Sequence, residues 1–232
     1  MDAPTSSALH AAVLAAGPAT RFGSPKQLVR LAGEPVLHRA IANAAFVVGH
    51  SVTVVLGAHV QDIAPSLRQS AASIVVNRHR EEGLASSIRT AVQSAPVGCD
   101  GLLLVLADQV AVTADDLKRL YVAWQRHPVL IAAALYGGAP GLPAIFPRWT
   151  FGDLLQLRGD QDPRHAAPMS SDRPWRVSLP AAVQEDTVTR TVDEEFPARA
   201  HPVRPVAPER PTRVPAWATI REPSRRGSVE SP

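Results

Sequence analysis

Two glycines and two long cations stand close together near the start of the chain. They are Gly17, Arg21, Gly23 and Lys26, in the stretch AAVLAAGPATRFGSPKQL that covers residues 11–28. The apolar run at residues 12–16 reads as a buried strand that Gly17 ends. A strand that breaks at a glycine can turn backbone N–H groups toward an anion, and cations at the rim of the following loop can neutralise phosphates. Spacing alone leaves a plainer reading open, a glycine turn between a strand and a helix with solvated basic side chains. The pattern is neither a Walker loop nor GxGxxG, so the mechanics of those motifs do not carry over. Much later in the chain, Asp108 directly follows the apolar run GLLLVLA. By position alone such a carboxylate reads as a helix cap or a turn residue. It could instead hold Mg²⁺, a hard ion that takes oxygen ligands and phosphates. The eight histidines show no ligand spacing, and His79 and His165 read as solvated.

These residues need a scaffold, and the hydrophobic pattern supplies one. Strands are expected at residues 11–16, 51–56, 73–76, 101–107 and 129–135. Helices are expected from Gly33-Glu34-Pro35 to Val48 and at residues 60–69, 83–94 and 113–126. Pro35 suits a first helical position. Thr113 and Asp116 have the spacing of a capping box. SVTVVL, at residues 51–56, is apolar on both faces, as expected of a strand inside a covered parallel sheet. Alternating strands and helices predict a doubly wound, mostly parallel α/β sheet. Ligands of such sheets sit at the carboxyl ends of the strands, where both the Gly17 loop and Asp108 fall. From Tyr136 the texture becomes rich in glycine and proline, and a short helix is expected at residues 150–157.

LAAGPATRFGSPKQL resembles the L-A-A-G-x-x-x-R-x-G-x-x-K fingerprint of NTP transferases of the molybdenum cofactor cytidylyltransferase and guanylyltransferase type. The resemblance implies a Rossmann-like nucleotidyltransferase fold. It also implies that Leu14, Ala15, Ala16, Gly17 and Gly23 line the nucleotide, with Arg21 and Lys26 on its triphosphate. LLLVLADQVAVTADDL resembles the family's strand, aspartate, turn and T-x-x-x-L, which makes Asp108 the implied Mg²⁺ ligand. Residues 77–92, NRHREEGLASSIRTAV, resemble the N-x-x-x-x-x-G-L-x-x-S-L pattern of the cytidylyltransferase branch. That places Gly83, Ser86 and Ser87 against the nucleotide, at a helix N-terminus expected to offer free N–H groups. Gly141 and Pro143 fall in a segment resembling G-x-P-x-x-F, which lines the acceptor side. Gly159-Asp160 and Arg164 resemble part of a G-D-x-G-x-R element, with Asp162 and Pro163 as departures from it. Asp186 and Asp193 are candidates for a second metal carboxylate. The implied reaction is Mg²⁺-dependent transfer of CMP, or another NMP, from an NTP to molybdopterin. A molybdoenzyme or its maturation factor is an expected further partner. Two alternatives stand beside it: a sugar- or alditol-phosphate nucleotidyltransferase of the same fold, and a non-catalytic nucleotide-binding paralogue with a degenerate C-terminus.

Composition bounds the rest. The single cysteine, Cys99, excludes an intrachain disulfide and a cysteine-based zinc site. No apolar run reaches the roughly 18–20 residues of a bilayer span, and MDAPTSSALHA lacks a basic n-region. A cytoplasmic protein with no membrane partner is expected. Of the net charge of +3, residues 1–196 carry 17 Lys+Arg against 18 Asp+Glu, and residues 197–232 carry 7 Arg against 3 Glu. The body is therefore nearly neutral, without a basic stripe interleaved with aromatics, and no nucleic-acid partner is expected. A domain is expected at residues 8–196 and a disordered basic tail at residues 197–232, since residues 202–232 hold seven prolines and no periodic apolar stripe.

Ending the chain at His201 is expected to leave the melting temperature within a few degrees and CTP binding unchanged. A loss of about 5 °C, more than about 1 kcal/mol for a body of this size, would mark the tail as a structural segment.

Overall fold

The computed structural model of the chain describes residues 8–18, 25–136, 139–161, 163 and 175–178. All of these fall in the first of two units into which the chain divides, Met1–Glu195. The expected tail at residues 197–232 lies outside the described residues, as do Arg21, Gly23, Arg164, Asp186 and Asp193.

Seven strands form one sheet: β1 (Leu9–Ala15), β4 (Val52–Leu56), β5 (Ser73–Val76), β6 (Gly101–Leu106), β7 (Ala132–Tyr136), β8 (Ala139–Pro147) and β9 (Trp175–Ser178). A separate two-residue pair joins β2 (Arg30–Leu31) to β3 (Glu34–Pro35). The helices are α1 (Val36–Val48), α2 (Val60–Ile63), α3 (Leu84–Ser94), α4 (Ala114–Arg126) and α5 (Phe151–Leu154). The sheet runs β5-β4-β1-β6-β8-β7-β9. Strands β5, β4, β1 and β6 are parallel neighbours, with Val13 of β1 level with Val54 on one side and Val105 on the other.

Period-two alternation divides each central strand between two cores. Ala11, Val13 and Ala15 pack with α1, α4 and their neighbours, including Leu37, Ile41, Leu117, Leu120 and Trp124. Ala12, Leu14 and Ala16 pack on the opposite face with Ala85, Ile88 and Leu154. Burial on both faces explains why these strands read as unbroken apolar runs. The Thr113 capping box opens α4, with the Asp116 carboxylate accepting from the Thr113 N–H at 3.1 Å. No described helix is long and apolar enough to cross a membrane.

Several boundaries differ from expectation. Helix α1 begins at Val36, because Pro35 stays extended at φ −58°, ψ 136° and pairs with Arg30. The helix expected at residues 60–69 is a single α turn followed by a 3₁₀ turn, Ala64–Leu67. Pro65 has no N–H to give to the Gln61 carbonyl, so the α ladder stops there. The strand expected at residues 129–135 begins only at Ala132, after a turn in which Leu130 N–H bonds His127 O at 2.9 Å. The largest difference is β8. The segment rich in glycine and proline, for which no strand is expected, is a nine-residue strand, antiparallel to both β6 and β7 and inserted between them. Its pairing with β6 ends at Leu104↔Ala144, and its pairing with β7 jumps from Ala133↔Ala144 to Ala134↔Gly141. Leu142 and Pro143 occupy that bulge, where a residue without an N–H costs the sheet no ladder bond.

His10 is a core residue of β1. Its Nδ1 lies 2.8 Å from Ser51 Oγ and its Nε2 2.9 Å from Thr53 Oγ1. Burial penalises the charged ring and lowers its pKa from 6.5 to about 4. Between those values the unfolded chain binds a proton that the folded chain refuses. Stability is therefore expected to fall as pH drops through the window, by about 3 kcal/mol at its lower end. Urea unfolding between pH 7 and pH 4.5 should show that fall, and the fall should shrink in His10→Gln.

Candidate active site

The sheet changes direction at β1. Strands β4 and β5 extend it to one side, and β6 returns to the other. Such a switch point opens a crevice at the carboxyl ends of the strands. Here the two ends are tied together, with the Ala107 N–H donating to Leu14 O at 3.1 Å. Asp108 follows β6 at once. Lys26 opens the 3₁₀ turn Lys26–Leu28, and its Nζ lies 3.0 Å from Asp108 Oδ2. The structure thus brings together two groups 82 positions apart. Their side chains are 22% and 36% exposed. A pair that open to water contributes only about 0–1 kcal/mol. What it does is hold one cation and one carboxylate at the mouth of the switch point, where an incoming phosphate could take the cation and a divalent ion the carboxylate.

Leu14, Ala15 and Ala16 are buried, so only their backbone could meet a ligand, whereas Gly17 is exposed. The backbone here is held closely. Ala58 N–H donates to Ala16 O at 3.2 Å. A Cβ on Gly57 would lie 2.7 Å from that same oxygen, which is why a glycine stands beside it. The Gln27 amide donates to Ala15 O at 2.9 Å and Gly17 O at 3.1 Å. Sequence reasoning missed Gln27. Its one signal was a polar residue between Lys26 and an apolar pair, which any surface turn would share.

The N-terminus of α3 differs from expectation in its chemistry. Its first amides are occupied: Leu84 N–H by Asp160 Oδ1 at 3.2 Å, Ala85 N–H by Gly159 O at 3.0 Å, and Ser86 N–H by Gly83 O at 3.3 Å. The Gly159-Asp160 element therefore caps this helix, and the free N–H groups expected there are not free. Gly83 sits at φ +90°, and a Cβ would fall 2.2 Å from Asp160 Oδ1, so no other residue fits. Ser86 and Ser87 are buried, and Asn77 Nδ2 donates to their hydroxyls at 2.8 and 3.0 Å. Asn77 thereby fastens the end of β5 to α3. Arg89 clamps the same region from below, through Leu157 O at 2.6 Å and the Glu82 carboxylate.

Gly141 and Pro143 lie on β8, beside β6. Gln109, the residue after Asp108, donates its amide to Leu142 O at 2.7 Å. The turn that carries the carboxylate is thus fixed to the strand that carries these two residues. Among the described residues no three His, Cys, Asp or Glu side chains gather to hold a metal. Asp108 alone fits an ion of the Mg²⁺ kind, which is held by one or two carboxylates with substrate phosphates completing its shell.

The MobA-like NTP transferase domain family matches residues 11–172. The bifunctional protein GlmU of Xanthobacter autotrophicus is 31% identical over 157 residues, 65% of this chain and 34% of that one. This chain spans about a quarter to a third of the length of the GlmU relatives it matches. Rv0371c from Mycobacterium tuberculosis H37Rv is 27% identical, with a TM-score of 0.63 over 75% of this chain and 88% of that one. A second structure of that protein is its complex with manganese. Two others share the fold. The 4-diphosphocytidyl-2C-methyl-D-erythritol synthase of Anaerococcus prevotii has a TM-score of 0.65 at 10% identity, over 80% of this chain and 92% of that one. The molybdopterin-guanine dinucleotide biosynthesis protein A of Archaeoglobus fulgidus has a TM-score of 0.54 at 18% identity, over 74% and 83%.

Lys26→Ala and Asp108→Asn are each expected to change unfolding free energy by no more than about 1 kcal/mol. Lys26→Ala should weaken nucleotide binding in calorimetry. Asp108→Asn should cut Mg²⁺-dependent turnover about 10²-fold, the size of one preorganised electrostatic group. Turnover within threefold of the unsubstituted chain would remove Asp108 from the site.

Proposed function

The chain belongs to the family of MobA-like NTP transferase domains, and from that premise we propose that it transfers CMP from CTP to molybdopterin, releasing pyrophosphate. One observation carries the reading: the Lys26–Asp108 pair at the carboxyl ends of β1 and β6, beside the glycine that ends β1. That is the charge arrangement nucleotidyl transfer needs, a cation for phosphate oxygens and a carboxylate for the ion that accompanies them.

The acceptor would attack the α-phosphate in line through an oxygen of its own phosphate. With a second pKa of about 6, that oxygen is already anionic at neutral pH, and no general base is required. The protein must then supply positioning and charge neutralisation. Lys26 and Arg21 take the triphosphate, and the backbone from Leu14 to Gly17, with Gly23, lies along it. Gly83, Ser86 and Ser87 bound the nucleotide on the α3 side, with the hydroxyls oriented by Asn77. Asp108 would hold Mg²⁺ together with phosphate oxygens, and the bound ion would neutralise charge building on the leaving pyrophosphate. Gly141 and Pro143 form the acceptor wall, fixed to Asp108 through Gln109. The choice of CTP is supported by the cytidylyltransferase-like pattern at residues 77–92. The choice of molybdopterin is supported by the molybdopterin-guanine dinucleotide protein among the structural neighbours.

A second reading is favoured by the synthase whose name describes a diphosphocytidyl derivative of methylerythritol. On it the acceptor is a sugar or alditol phosphate and the chemistry is unchanged.

A pyrophosphate-release screen decides between them. The four NTPs are offered with Mg²⁺ and either molybdopterin, a sugar 1-phosphate or an alditol phosphate. Release is expected with CTP and molybdopterin. Release only with a sugar or alditol phosphate would establish the second reading. NTP binding without release in any combination would overturn both and leave a nucleotide-binding protein.

A further inference from the structure

Consecutive residues of the 3₁₀ turn Lys26–Leu28 point in opposite directions. Lys26 reaches out to Asp108, while Gln27 turns inward and is only 5% exposed. Both hydrogens of its amide are used, one on Ala15 O and one on Gly17 O. Its Oε1 is buried without a hydrogen-bond partner. A buried acceptor left unpaired costs stability. An apolar side chain of the same length would fill the space without that cost. What it could not do is hold the two carbonyls.

Those carbonyls stand where β1 runs out of sheet. The last ladder pair of β1 is Ala15↔Leu56 toward β4 and Leu14↔Leu106 toward β6. Beyond them the oxygens are claimed alternately: Leu14 O by Ala107 N–H, Ala15 O by Gln27, Ala16 O by Ala58 N–H and Gly17 O by Gln27 again. In a planar trans peptide the N–H points opposite to the C=O of the same unit. Holding Ala15 O therefore aims the Ala16 N–H, and holding Ala16 O aims the Gly17 N–H. Gln27 also ties its own turn to β1, which keeps Lys26 in reach of Asp108.

We propose that Gln27 is a positioning residue for nucleotidyl transfer: its amide fixes the backbone at the end of β1 that receives the nucleotide, and anchors the turn that presents Lys26. This rests on the nucleotide reading above, in which the backbone from Leu14 to Gly17 lies along the nucleotide.

The test compares Gln27→Met with Thr150→Val. Thr150 is fully buried and donates to Pro147 O at 2.7 Å, so its variant loses a buried hydrogen bond elsewhere in the fold. Melting temperature and the affinity for each of the four NTPs with Mg²⁺ are measured on the full chain, below the unfolding transition. Both variants are expected to melt a few degrees lower. Only Gln27→Met is expected to bind NTP about tenfold or more weakly, with turnover falling alongside. Gln27→Asn keeps the amide but is one methylene too short to span both carbonyls. It should also bind weakly, and it carries the test if the methionine variant does not fold. Affinity within threefold of the unsubstituted chain in either folded Gln27 variant would overturn the proposal, as would equal weakening in Thr150→Val. Failure of both Gln27 variants to fold would assign the residue to folding alone. Absence of NTP binding by the unsubstituted chain would instead overturn the nucleotide reading itself.

Discussion

Strand β1 is hydrogen-bonded in parallel on both edges, to β4 and to β6, and the chain runs outward from it through β4 to β5 before returning to its other edge as β6. Parallel pairing forces the carboxyl ends of neighbouring strands to the same edge, so whatever follows them must meet there. The Gly17 turn follows β1, Asp108 follows β6, and the stretch Gly57-Ala58 follows β4. Because β1 is buried on both faces, its register with β4 and β6 is pinned, and a slip of one residue would exchange the two cores. The ion pair between Lys26 and Asp108 is a consequence of this register. Too exposed to hold the fold together, it reports where the fold has placed two charges.

Side-chain amides, rather than charges, do most of the cross-linking at this edge. Gln27 holds the end of β1, Asn77 holds the end of β5 to α3, and Gln109 holds the Asp108 turn to β8. An amide offers two donors without a net charge. It can fix backbone oxygens and hydroxyls without competing for the phosphates or cations that a nucleotide site must bind. Two charged groups are used this way as well: Asp160 caps α3 through Leu84 N–H, and Arg89 holds Leu157 O. Asp160 occupies an amide that would otherwise have been open to an anion, and with Gly159 O it ties this segment to the start of α3.

Strand β8 completes the other wall. It enters antiparallel between β6 and β7, and its bulge at Leu142-Pro143 stands level with the turn that carries Asp108. This antiparallel insertion places β8 on the side of β6 away from β1, beside the turn that carries Asp108.

The sequence by itself determined the doubly wound core. Runs such as SVTVVL and GLLLVLA can be satisfied only with both faces covered, and the Thr113 cap is a local interaction among near neighbours. It also marked Gly17, Lys26 and Asp108, because glycine, lysine and aspartate after apolar runs carry a local signal. Tertiary structure alone decided the rest. Strand β8 was illegible because Gly141 and Pro143 oppose strand formation locally, and only pairing on both sides with a bulge overcomes that. The helix at residues 60–69 was shortened by one missing N–H at Pro65. The first two amides of α3 were committed to a distant segment, Leu84 N–H to Asp160, 76 positions away, and Ala85 N–H to Gly159 O. Gln27 had no signature that a surface turn would not share, since its role exists only where the carbonyls of Ala15 and Gly17 leave the sheet. Local chemistry is written in neighbouring residues, whereas the partners of a buried amide or a helix end are set by chain segments that meet only when the sheet closes.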